Sequence, residues 1–118
     1  MQQQGFDIAI INPRFTKPLD VGTTEFFARA AEVVVTLEDH VLMGGYGSAV
    51  LELFNEKRIT TPVVQIGWPD QFIEHGTNVE DLRRKYGLTI ENILTKVKAQ
   101  FADAPLELLT VPELQSRA

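Results

Sequence analysis

Apolar and polar positions along this 118-residue chain follow two alternating periods. Phe6 to Ile11 is a nearly continuous apolar run in which Ile8, Ile10 and Ile11 are β-branched. Such a run predicts a strand covered on both faces of a parallel sheet. Ahead of it, Gln2, Gln3 and Gln4 read as the last turn of a helix, with Gly5 as its left-handed terminator. Asn12, Pro13 and Pro18 force an irregular loop. From Thr24 to Ala31 the residues Phe26, Phe27, Ala30 and Ala31 recur at helical spacing. Val33 to Leu37 predicts a second buried strand, and Glu38 to Gly47 a glycine-rich loop. Ser48 to Lys57 reads as a helix with Val50, Leu53 and Phe54 inward and Glu52 and Glu56 outward. Pro62 opens a third strand, Val63 to Ile66, which Gly67, Pro69 and Asp70 stop.

The last third is helical. Thr77 and Glu80 have the spacing of a capping box, and Gly87 ends the helix they start. Thr89 caps the next helix, with Leu88 and Ile93 placed for a hydrophobic staple. Ile90, Ile93, Leu94, Val97 and Phe101 form an apolar stripe on it. The periodicity fades after Ala102, and Pro105 and Pro112 break the tail 103–118. Alternating strands and helices predict an α/β fold: a mostly parallel sheet between two helix layers, in one domain.

Charge narrows the function. Sixteen acids against eleven bases leave a net charge of −5, so no basic face for nucleic acid is expected. No apolar run reaches the roughly 20 residues of a membrane helix, and the first twenty lack a signal peptide's apolar stretch. The absence of cysteine removes disulfides and thiolate chemistry and fits a reducing compartment.

The glycine-rich loop is the most specific local feature. Gly44, Gly45, Gly47 and Ser48 lie between a strand and a helix, where backbone amides at a helix N-terminus can hold an anion. Val50 stands where a dinucleotide fingerprint needs its third glycine or alanine, and no phosphate-loop lysine follows. The plainer reading is a tight turn with close helix-to-sheet packing, so that Gly45 or Gly47 has positive φ or touches a neighbouring backbone. Glu38, Asp39 and His40 resemble metal ligands, yet neighbours on an extended chain point opposite ways. Glu38 stays a candidate site-edge residue, because α/β sites form at the carboxyl ends of strands. Asp70, Glu74 and His75 form a second polar group. Arg14 and Lys17, near Asp20, are placed for a phosphate, an opposing acidic surface or surface ion pairs. Arg83, Arg84 and Lys85 read as the solvated face of a helix.

Three ordered segments carry a family resemblance. They are Asn12-Pro-Arg-Phe-Thr-Lys-Pro-Leu-Asp20, Val35-Thr-Leu-Glu-Asp39 with Met43-Gly-Gly-Tyr-Gly-Ser48, and Gly67-Trp-Pro-Asp70 with Phe72 and Gly76-Thr77. Together they resemble the C-terminal, transketolase-like domain of 1-deoxy-D-xylulose-5-phosphate synthase over about residues 5–102. The family reaction joins a two-carbon unit from pyruvate to glyceraldehyde 3-phosphate, and its product feeds isoprenoid, thiamine and pyridoxal phosphate synthesis. The resemblance implies thiamine diphosphate and Mg2+ in a full-length homodimeric enzyme, cytoplasmic or plastid. It places the cofactor ligands and the catalytic glutamate in two upstream domains, so no catalytic, cofactor or metal residue is expected here. Arg14, Lys17, Asp20, Glu38, Gly44, Gly45, Gly47, Ser48 and Asp70 remain structural or interface candidates. The resemblance also implies that the family's first strand is missing from the sheet, between Phe6–Ile11 and Val33–Leu37. The chain alone is then expected to be inactive and to self-associate or fold only marginally. A free-standing anion-binding or regulatory module using the Gly44–Ser48 turn is the alternative.

Overall fold

Two parallel strands carry the sheet in the computed structural model, which describes residues 2–101. The elements are α1 (Val21–Ala30), β1 (Val34–Val41), α2 (Tyr46–Lys57), β2 (Val63–Trp68), α3 (Val79–Lys85) and α4 (Ile90–Ala99). β1 and β2 are joined through α2, the crossover that parallel pairing requires. Val34 to Leu37 pair with Val63 to Ile66 residue by residue. The register then slips, so that Val41 faces Trp68. Three β1 residues, Glu38 to His40, thus span the place of one on β2. Such a bulge re-aims side chains at the end of a strand.

The pleat sorts the two faces. Thr36 and Gln65 lie beneath the start of α2, where a Cβ on Gly47 would meet Thr36 Oγ1 at 2.7 Å. On this face Ala28 of α1, Val50 and Phe54 of α2 and Ile59 form the buried core, with Val34, Tyr46 and Val63 against it. Burying each large apolar side chain contributes about 1.5–3 kcal/mol. Leu37 and Ile66 face the opposite way, toward Leu88 and Ile93. There α4 covers β2 with Val97 buried. The fold is α/β with helices on both faces of a small parallel sheet.

Several expectations change. The run Phe6–Ile11 enters no ladder, and Ile10 is 92% exposed. Its composition suits a buried strand, but composition cannot supply a pairing partner. The residue α1 buries is Ala28, whereas Phe26 is 69% exposed and stacks edge-on against Phe27. α2 buries Val50, Leu53 and Phe54 as the periodicity indicates. α3 is capped by Asn78, which accepts from the Asp81 amide at 2.8 Å, rather than by Thr77 with Glu80. Asn78 at N-cap reaches the third helical amide directly, so Thr77 falls outside the helix. Gly5 (φ 83°) and Gly87 (φ 80°) are left-handed terminators, and Thr89 caps α4 through the Asn92 amide. Ile90 is exposed at the first turn of α4, off the buried stripe. The tail 103–118 lies outside the described residues.

Candidate functional site

The turn from β1 into α2 is built around one carboxylate. The β1 bulge aims Glu38 at the N-terminus of α2. Its Oε2 accepts from the Tyr46 amide at 2.7 Å and its Oε1 from the Gly47 amide at 3.1 Å. Gly45, the N-cap residue, has no side chain with which to cap the helix. Glu38 therefore satisfies two orphan amides and places negative charge at the positive end of the helix dipole. Glycine at position 45 makes room for it: a Cβ there would lie 2.7 Å from the Val41 carbonyl and 2.8 Å from Glu38 Cδ. Gly44 supplies the left-handed residue, φ 73°. Ser48 closes the turn, accepting from the Gly44 amide at 3.1 Å and donating to the Leu42 carbonyl at 3.0 Å.

The anion seat expected at this helix end is thus occupied from within. Glu38, Gly44, Gly45, Gly47 and Ser48 converge as one packed turn. Beneath it Thr36 Oγ1 and Gln65 Nε2 are buried without a hydrogen-bond partner. Gly47 must lack a side chain because these two groups fill the space above its Cα.

The three adjacent polar residues diverge. Glu38 goes to α2, while Asp39 accepts from Trp68 Nε1 at 2.7 Å and from Arg83 at 2.8 Å. His40 Nδ1 lies 2.9 Å from the Val41 carbonyl. The hydrogen bond from Trp68, followed by that from Arg83, holds the Asp39 carboxyl below the usual carboxylate range. Trp68 also meets the Tyr86 ring edge-on at 5.9 Å. Asp39, Trp68 and Arg83 fasten α3 to the carboxyl end of the sheet. No sequence signal joins Asp39 to a residue 44 positions away. The basic run of α3 is paired rather than simply solvated, Arg84 with Asp81 and Lys85 with Glu74.

The remaining candidates stand apart. Asp20 is the N-cap of α1, and its bond from the Thr23 amide at 3.0 Å lowers its pKa. Burial, then the Asp20 charge, raises the pKa of the Tyr46 phenol. Arg14 has φ 53°, its amide donates to Asn12 Oδ1 at 3.2 Å, and its guanidinium lies 5.8 Å over the Phe15 ring. Arg14 and Lys17 are exposed, and the salt bridges among the described residues do not include them. Asp70 is exposed, and with Glu74 and His75 it makes no metal-holding group. Among the described residues no three His, Asp or Glu side chains converge on a metal position. A shallow apolar groove of about 320 Å³ lies at the carboxyl end of the sheet, between Val41, Trp68, Pro69, Ile73, Val79 and Leu82. No helix of the described residues is long and apolar enough to cross a membrane.

The chain is similar to known proteins over most of its length. Residues 1–93 match the family model described as transketolase, C-terminal domain. The 1-deoxy-D-xylulose-5-phosphate synthase of Methylacidiphilum infernorum is 49% identical over 112 residues, 92% of this chain and 18% of its own length. The synthase of Acidobacterium capsulatum is 48% identical over 109 residues, 92% of this chain and 17% of its length. The chain thus spans less than a fifth of these relatives. A solved structure titled a split-gene transketolase, inactive β4 tetramer, superposes with a TM-score of 0.60 at 38% identity. It covers 71% of this chain and 26% of its own.

Proposed function

The chain belongs to the transketolase C-terminal domain family, and from that premise we propose that it serves as the C-terminal domain of a 1-deoxy-D-xylulose-5-phosphate synthase. The whole enzyme would condense pyruvate with glyceraldehyde 3-phosphate and release CO2. The observation that carries this reading is the likeness to two such synthases at 49% and 48% identity over 92% of the chain. Thiamine diphosphate and Mg2+ would supply the carbanion chemistry in the domains that precede this one. The α2 amides that suit an anion hold Glu38, which supports the reading that this turn is no seat for the diphosphate. We therefore assign no catalytic step to this chain. Its role is structural: it packs against the cofactor domains, supports a homodimer and works in the cytoplasm or a plastid. Exposed Phe26 and Phe72, on α1 and on the loop after β2, suit such packing. The family relative titled an inactive β4 tetramer supports the reading that a separate piece of such an enzyme is inert.

An anion-binding module is the weaker reading, because an external anion at Gly44–Ser48 has to displace Glu38. The test is calorimetry and turnover on this chain with thiamine diphosphate, Mg2+, pyruvate and glyceraldehyde 3-phosphate. The expected result is no product and no binding tighter than about 1 mM, roughly −4 kcal/mol. Product formation by the chain alone overturns the proposal.

A further inference from the structure

α3 is attached to the molecule differently from the other helices. It buries none of its residues, whereas α1 buries Ala28, α4 buries Val97 and α2 buries Val50, Leu53 and Phe54. Its two apolar side chains, Val79 and Leu82, stand over the groove at the carboxyl end of the sheet, facing Val41, Trp68, Pro69 and Ile73 across about 320 Å³ of open space. A gap of that kind forfeits the dispersion contacts that packing would supply. Residues 74–80, the approach to the helix and its first two positions, are all exposed.

Polar contacts hold α3 instead. Asp39 at the end of β1 accepts from Arg83 at 2.8 Å and from Trp68 Nε1 at 2.7 Å, and the Trp68 ring meets Tyr86 just past the helix. Lys85 pairs with Glu74 in the loop before it. These ion pairs are open to water, with the Arg83 and Asp39 side chains 43% and 60% exposed. Exposed pairs are individually weak and are screened by salt. Two left-handed glycines bracket the segment, Gly76 at φ 102° and Gly87 at φ 80°. A Cβ at Gly76 would meet nothing within 4 Å, so the chain has room to swing there. Few buried apolar contacts and a water-exposed backbone mark an element that opens below the global unfolding free energy.

We propose that Gly76–Gly87, carrying α3, is a strap that opens and closes as one unit over the carboxyl end of the sheet, latched by Asp39 through Arg83 and Trp68 while β1, β2 and α2 stay folded. In the closed state Val79 and Leu82 roof the groove. In the open state the strap uncovers Val41, Trp68, Pro69 and Ile73 at the carboxyl ends of both strands, the place where sites of α/β folds form. Asp39 holds both partners with one carboxylate, so its loss frees the helix and the indole together. Glu74–Lys85 is the second fastening, and it too is an exposed ion pair. Ionic strength therefore sets how often the strap opens, and the core around Val50 and Phe54 does not take part.

The test is native-state hydrogen exchange read by mass spectrometry on the full chain, with the α2 amides as internal reference. The α3 amides should be protected, but at least tenfold less than those of α2. Raising NaCl from about 0.05 to 1 M should lower α3 protection at least threefold relative to α2, as screening of exposed pairs requires. Asp39→Ala should lower α3 protection at least fivefold, with α2 protection and far-UV circular dichroism retained. Glu25→Gln removes the exposed ion pair of α1 with Arg29 and should leave α3 unchanged. Equal protection of α3 and α2 overturns the proposal, because the two then open only together. Exchange of α3 at the unfolded-chain rate overturns it as well, since no closed state then exists. So does an α3 indifferent to salt or to Asp39→Ala, and so does an Asp39→Ala variant that loses α2 and α3 protection equally, which makes Asp39 a support of the whole fold rather than a latch.

Discussion

Replacing Glu38 by Ala removes the cap of α2 while leaving every apolar contact in place. The wild-type carboxylate accepts two amide hydrogen bonds, at 2.7 and 3.1 Å, in a half-buried position. A hydrogen bond to a charged group contributes about 1.5–3 kcal/mol, and loss of an ordinary helix cap about 1 kcal/mol. Water can reach part of this site, which lowers the figure, whereas two amides lose their partner together, which raises it. The expected loss is about 2–3 kcal/mol. For a domain near 100 residues that lowers Tm by roughly 8–20 °C. Glu38→Gln keeps one acceptor without the charge and should lose about half as much. The assay is urea unfolding followed by circular dichroism at one fixed protein concentration. A midpoint for Glu38→Ala within about 0.5 kcal/mol of wild type, the range of ordinary surface changes, refutes the cap.

Gly47→Ala should destabilise by about 1–3 kcal/mol through overpacking, because the new methyl lies 2.7 Å from Thr36 Oγ1 and also meets Gln65 Nε2. An unchanged melting curve contradicts that packing. The depressed pKa of Asp39 makes its contribution to stability present above the unfolded-state pKa and lost as pH falls through the folded-state value. Trp68, the only tryptophan, reports this directly. Its fluorescence should titrate with a midpoint below 3.8 and become flat in Asp39→Asn. A midpoint at or above 3.8 contradicts the Asp39–Trp68–Arg83 geometry.

Legibility followed the range of the interaction. The α2 face Val50–Leu53–Phe54 and the terminators Gly5 and Gly87 are local features, written in spacing and in glycine, and they stand as read. Glu38 was recognisable as a site-edge residue, but its target lies eight and nine residues ahead, beyond what periodicity reports. The β1 bulge, which separates Glu38 from Asp39, depends on β2 and has no signature in β1 itself. Asp39 with Arg83 and Thr36 with Gln65 are pairings of the tertiary fold. The arm Phe6–Ile11 shows the converse: its residues fit a buried strand, and only a neighbour decides whether they become one.

Under the proposed function, this chain serves as the structural C-terminal domain of a thiamine-dependent synthase. Its most direct test is turnover by a chimera in which residues 1–101 replace the matching segment of the Methylacidiphilum infernorum enzyme, with CO2 release from pyruvate as the readout. The account predicts activity within about tenfold of the parent, a barrier change of at most about 1.4 kcal/mol. A chimera that folds and binds thiamine diphosphate yet releases no CO2 in the presence of glyceraldehyde 3-phosphate contradicts it.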